Sequence, residues 1–179
     1  AHRAGMRIVE MWHEDLRPSQ IITRSALLNA VKVSLAIGAT TNVLLHLPAI
    51  AHELGISLPI DIFDELSRKV PFICNVKPSG DYLLSDLARA GGTAAMLHEL
   101  GSLLDLSVMT LEGKPMSECI EGVRVKDARV IKSIQNPISP EGSLAILRGT
   151  LSPNGCVVKT SAVPPAMMVF EGRARVFDS

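Results

Sequence analysis

The sequence predicts an α/β unit followed by a β extension, and three observations predict it. Apolar residues recur at a helical period through most of the first hundred positions. That period gives way at Val70-Pro71-Phe72-Ile73-Cys74-Asn75-Val76 to a short apolar run of the kind that buried strands carry. Beyond about residue 122 the chain turns to β-branched residues and turn formers. Helices arranged around a strand argue for α/β rather than all-β.

Met6, Val9, Trp12 and Leu16 form a helical stripe, which reads Trp12 as a packing residue rather than a ligand platform. Pro18 punctuates. Ser19 or Thr23 caps a second helix through Ala26, Leu27, Ala30, Val31, Leu35 and Ile37, and Gly38 ends it. Thr40 or Thr41 caps a third, from Asn42 to Leu54, so apolar that it is expected to be buried; Gly55 ends that one. Pro59 and Asp61 open a short helix through Asp64, Glu65 and Arg68. After the 70–76 strand, Lys77-Pro78-Ser79-Gly80 is a turn, and helices follow over Tyr82 to Ala90 and Thr93 to Leu100, broken by Gly91-Gly92. A turn-rich linker surrounds Asn136-Pro137 and Ser139-Pro140, and a domain boundary is expected near residues 132–142. Three strands are expected after it, at Leu144 to Leu147, Cys156 to Thr160 and Arg173 to Phe177, with Pro153-Asn154-Gly155 as a hairpin signal. The chain starts at Ala1 without an initiator Met and stops at Ser179 just after a strand-like segment, which predicts an internal piece of a longer protein.

Composition excludes several classes. The chain has 179 residues, with 18 Lys and Arg against 18 Asp and Glu. A nucleic-acid binder held by phosphate contacts would carry a basic excess. Aromatic residues make up 3%, with one Trp and one Tyr, so base- or sugar-stacking platforms do not dominate. No apolar run reaches the ~18 residues of a spanning helix, and charges interrupt any signal-peptide pattern at the N-terminus. The expectation is a soluble, cytoplasmic protein with neither membrane nor nucleic-acid partners.

Few residues invite chemistry. Gly38-Ala39-Thr40-Thr41-Asn42 precedes a helix, where free amides and the helix dipole suit an anion; ordinary capping by Thr40 or Thr41 reads the same residues. Ser79 follows the predicted strand, where ligands of open α/β folds often sit, though a plain turn accounts for it as well. His46 and His52 are six apart and do not share a helix face as a metal pair; His46 reads as a core histidine. Cys74, Cys119 and Cys156 form no C-x-x-C and read as small core hydrophobes. Asp61, Asp64 and Glu65 read as a solvated helix start.

A colinear string of segments goes further. Glu14-Asp15-Leu16-Arg17-Pro18-Ser19, Gly38-Ala39-Thr40-Thr41-Asn42, Leu44-Leu45-His46-Leu47-Pro48-Ala49 and Asp64-Glu65-Leu66-Ser67-Arg68-Lys69-Val70-Pro71 open it. Lys77-Pro78-Ser79-Gly80, Arg89-Ala90-Gly91-Gly92, Gly142-Ser143-Leu144-Ala145, Val158-Lys159-Thr160-Ser161 and the stretch from Phe170 to Ser179 continue it. Together they resemble the dihydroxy-acid and phosphogluconate dehydratase family over essentially the whole chain. Ala39 and Thr40 stand where the family usually has Gly and Ser, and Ser143 where it tends to have a second Gly.

The resemblance implies the later part of an N-terminal α/β domain at residues 1–135. Residues 136–179 would be the linker and the first strands of a C-terminal β-barrel-like domain. It implies a longer parent, an iron–sulfur hydro-lyase that dehydrates a 2,3-dihydroxy carboxylic acid to a 2-oxo acid in branched-chain amino-acid biosynthesis. Sugar-acid dehydration, of a pentonate or gluconate, is the alternative; a non-catalytic scaffold is the reading from another class. The implied cofactors are an iron–sulfur cluster and Mg2+, with metal ligands upstream of Ala1 and the proton-abstracting serine downstream of Ser179. Catalytic residues and metal ligands are therefore expected to be absent from this stretch, which alone would be inactive, and Thr41, Asn42 and Ser79 are the candidate substrate-lining residues. A homo-oligomeric parent, dimer or tetramer, is expected.

Overall fold

The computed structural model describes residues 2–177. Ala1, Asp178 and Ser179, on which the chain-end and resemblance readings partly draw, lie outside them.

The centre of the molecule is the helix Arg24–Ile37 (α3), preceded by His2–His13 (α1) and the short Pro18–Ile21 (α2). Thr23 caps α3, its Oγ accepting from the Ala26 amide at 3.2 Å. Gly38 ends α3 in the left-handed conformation, φ +80°, which a residue with a Cβ adopts only with strain. Leu27, Val31 and Leu35 repeat every four residues along one face and are buried. Around that face pack Phe63 from Asp61–Ser67 (α5), Leu87 from Leu84–Arg89 (α6), and Ala95 and Met96 from Gly92–Glu99 (α7). Ile73, Cys74, Ile131 and Leu144 complete the core. Val43–Glu53 (α4) adds the buried Ala51 and packs Val43, Leu44 and Leu47 against the core, and Met116 from Met116–Cys119 (α8) packs against it as well.

Residues 70–76 are buried and extended as expected, but they do not form a strand of a ladder. Isolated bridges pair Phe72 with Ser139 and Cys74 with Ile131. Pro71 has no amide to donate, and the amides of Ile73 and Cys74 both turn to the Ala36 carbonyl at the end of α3 (3.0 and 3.2 Å). The segment is thus threaded between a helix end and the 130–139 stretch.

The ordered sheet among the described residues is an antiparallel pair, Ala145–Gly149 (β1) with Ser152–Val158 (β2). Gly149 pairs with Ser152, so the hairpin turns at Thr150-Leu151 rather than at Pro153-Asn154-Gly155. Those three residues instead form a bulge opposite Arg148, with Gly155 at φ +98°. The expected strand at 173–177 is irregular chain. Asp64 ties the hairpin to α5 by accepting from the Ile146 amide at 3.2 Å, and Arg148 pairs with Asp61.

Two apolar helices are less covered than their patterns predict. On α1 only Met11 is buried; Met6, Ile8 and Val9 are exposed, and Trp12 is 78% exposed, so it is no core residue of this chain. On α4 only Ala51 is buried, Leu45 is 68% exposed, and His46 faces solvent rather than the core. Helical periodicity reports that a stripe exists, not that this chain supplies the surface to cover it. No helix among the described residues is long and apolar enough to cross a membrane.

Candidate functional site

Three segments distant in sequence meet at one polar seam: the end of α3, the 77–80 turn, and the chain just after β2. Gly38 lies against the Phe72 ring and Ser79: a Cβ built on it would sit 2.9 Å from Phe72 Cε2 and 3.7 Å from Ser79 Cβ. Glycine is required there both by φ and by space. Gly80 is equally confined, since a Cβ would overlap Asn75 and lie 2.6 Å from the Val76 nitrogen. The 77–80 turn is therefore folded tightly onto residues 75 and 76, and the Asn75 Oδ1 accepts the Asp81 amide at 3.0 Å.

The chain leaving β2 closes over both turns. Lys159 Nζ donates to the Gly38 carbonyl at 2.8 Å, and Ser161 Oγ donates to Ser79 Oγ at 3.1 Å. Between them Thr160 Oγ1 donates to the Gly142 carbonyl at 3.2 Å, and the Ser161 amide to the Ser143 carbonyl at 3.4 Å. Ser67 supports the same seam: its hydroxyl donates to the Leu144 carbonyl, and its own carbonyl accepts the Gly142 amide at 2.8 Å. Ser143, 1% exposed, has a buried hydroxyl with no partner among the described residues.

Of the three substrate-lining candidates, Ser79 lies in this seam, half-buried and bonded. Thr41 is half-buried and Asn42 exposed at the start of α4. The anion reading of that start rests on free amides, yet Val43, Leu44 and Leu45 each donate to the carbonyl three residues back, at 3.3, 3.0 and 3.0 Å. A tight first turn leaves those three engaged, so a ligand there would be met by Thr41 and Asn42 themselves. Asn42 makes no side-chain cap bond. Lys159, Ser161 and Ser143 were not candidates from the sequence; they reach Gly38, Ser79 and Leu35 across 121, 82 and 108 positions, beyond any local pattern.

The cysteines do not behave as one class. Cys74 is fully buried, 3.4 Å from Met96 Sδ, and burial pushes its thiol up to about 12, so it stays protonated. Cys119 and Cys156 are exposed, not core hydrophobes: Cys119 sits on the short α8 beside Thr110 Oγ1, and Cys156 on a strand with an open face. A cluster needs several thiolates converging on one point. Here the three lie on separate elements, and among the described residues no three His, Cys, Asp or Glu side chains converge as a metal site. The residues of this chain do not fit an iron–sulfur cluster.

The fold and seam define a class: a helical α/β unit joined by polar contacts to an antiparallel hairpin and the chain that follows it. A family model described as "Dihydroxy-acid/6-phosphogluconate dehydratase N-terminal" matches residues 1–119, and its C-terminal counterpart matches 129–179. The chain belongs to this dehydratase family. A dihydroxy-acid dehydratase of Acetivibrio thermocellus is 50% identical over 181 residues, covering 100% of this chain and 33% of the relative. Those of Ignicoccus hospitalis (51%, covering 99% of this chain) and Nitratidesulfovibrio vulgaris (49%, covering 100%) match similarly, again over 33% of their length. The chain thus spans about a third of the length of the relatives it matches.

Proposed function

We propose that this chain is a segment of a hydro-lyase that converts a 2,3-dihydroxy carboxylic acid to a 2-oxo acid. The carrying observation is identity near one half, sustained across the whole chain, to relatives named for dihydroxy-acid dehydration. The reaction removes the C2 hydrogen as a proton and the C3 hydroxyl as water, and the enol left behind tautomerises to the 2-oxo acid. An iron–sulfur cluster and Mg2+, held by residues outside this stretch, are the cofactors of this reading. The cytoplasm is the proposed compartment, branched-chain amino-acid biosynthesis the pathway, and a homo-oligomer the working form.

The residues of this chain carry none of the proton or hydroxyl chemistry. What they contribute is a frame: two tight turns, at 38–42 and 77–80, held against the start of the C-terminal part. Thr41, Asn42 and Ser79 are the side chains proposed to line the substrate from these turns. Domain organisation follows the same reading, with residues 1–135 in the α/β part and 136–179 as linker and first strands of the next. The test is substrate choice: the full-length protein is expected to form 2-oxo acid from a branched five-carbon 2,3-dihydroxy acid far faster than from a pentonate or gluconate. The reverse order would favour the sugar-acid alternative.

A further inference from the structure

We propose that Lys159 and Ser161 are positioning residues, a three-residue strap that sets the 38–42 and 77–80 turns relative to each other. Both bonds come from one short segment, so fixing that segment fixes the separation of the turns. The Lys159 contact is charge-assisted, an ammonium on a carbonyl in a partly buried setting. It also sits at the carbonyl end of α3, a helix of 14 residues, where the dipole is negative. Gly38 has little freedom to slide away, because Phe72 occupies the space behind it. Ser161 pins the second turn through Ser79, and the Thr160 and Ser161 bonds to Gly142 and Ser143 anchor the strap itself. Lys159 and Ser161 lie in the part matched by the C-terminal family model, and Gly38 and Ser79 in the part matched by the N-terminal one. The strap therefore couples the two halves of the match. A positioning role for catalysis rests on the dehydratase reading; the holding role does not.

The test uses the full-length protein with Lys159→Met, Lys159→Arg and Ser161→Ala. Amide hydrogen exchange is followed by peptide, together with kcat, KM and melting temperature. Lys159→Met is expected to speed exchange of the Ala39 amide, which donates to the Ser34 carbonyl, about tenfold while α5 keeps its protection, and Ser161→Ala to do so at the Lys77 amide, which donates to the Tyr82 carbonyl. It is also expected to lower kcat by tenfold or more with KM within about twofold, since a displacement of about 1 Å is enough to do this. Lys159→Arg, which keeps a cationic donor, is expected to restore protection and most of kcat. Unchanged exchange at both turns in Lys159→Met and Ser161→Ala overturns the strap. A kcat loss that follows only the folded fraction and is not rescued by Arg overturns the positioning role. If Lys159→Met does not fold, Ser161→Ala decides by the same readouts. A wild-type protein without dehydratase activity refutes the function instead, and exchange alone then judges the strap.

Discussion

Two serines in the same seam are expected to respond to alanine with opposite signs. The Ser67 hydroxyl donates to the carbonyl of Leu144, a residue 1% exposed. Ser67→Ala strands that carbonyl, and leaving a buried acceptor unpaired costs about 1–3 kcal/mol. The Ser143 hydroxyl is buried with no partner among the described residues, so it already carries a desolvation penalty of similar size. Ser143→Ala keeps the Cβ and the packing, removes the stranded group, and is expected to stabilise by about 1 kcal/mol. For a chain of this length each kcal/mol moves the melting temperature by about 2–4 °C. Ser67→Ala should therefore melt about 2–12 °C lower and Ser143→Ala about 2–4 °C higher, read by circular dichroism in parallel with urea midpoints. If Ser143→Ala were destabilised like Ser67→Ala, its hydroxyl would have a partner and the seam as described would be wrong.

Other perturbations probe other parts of the structure. Gly142→Ala places a Cβ 2.7 Å from Ser67 Oγ and 3.0 Å from Leu35 Cβ, and overpacking of that kind should cost about 1–3 kcal/mol in the urea midpoint. Native-state alkylation at pH 8 should label Cys119 and Cys156 and spare Cys74 until the chain unfolds; rapid labelling of all three would contradict its burial. Because burial holds the Cys74 thiol up to about 12, the folded chain keeps a proton there that the unfolded chain releases above pH ~9. Stability should fall with rising pH between those values, by at most about 1.4 kcal/mol per pH unit, and Cys74→Ala should remove that part of the slope. Asn42 makes no cap bond, so Asn42→Ala should shift stability by less than about 0.5 kcal/mol; a tenfold fall in kcat/KM of the full-length protein would then reveal its place in the site, and unchanged kinetics would remove it.

What the sequence disclosed follows from the range of the interactions involved. Helix ends are local: Thr23 and the glycines at 38 and 55 mark them through cap bonds and positive φ, and those boundaries are found where the residues put them. The 70–76 run signalled burial, but its pairing was settled by Pro71 and by the end of α3, which lies beyond any local pattern. Pro153-Asn154-Gly155 has the residues of a hairpin turn, yet a bulge uses the same left-handed glycine, and register with Ala145 to Leu147 put the turn at Thr150-Leu151. The stripe on α1 was legible as a stripe; the exposure of Trp12 was not, because periodicity carries no information about what lies opposite. Ser79 could be marked by its place after an apolar run, whereas its bond to Ser161 joins positions 82 apart.

A chain that frames a dehydratase site without holding its metal or its chemistry should assemble no cluster when isolated. The direct measurement is reconstitution of the 179-residue chain with ferrous iron and sulfide, followed by iron content, visible absorbance and 2-oxo acid formation from 2,3-dihydroxy acids, beside the full-length protein treated identically. The chain is expected to take up no stoichiometric iron and to show no turnover, and the full-length protein to show both. Stoichiometric iron in the chain that is lost when Cys119 or Cys156 is replaced, or turnover by the chain itself, would contradict that expectation.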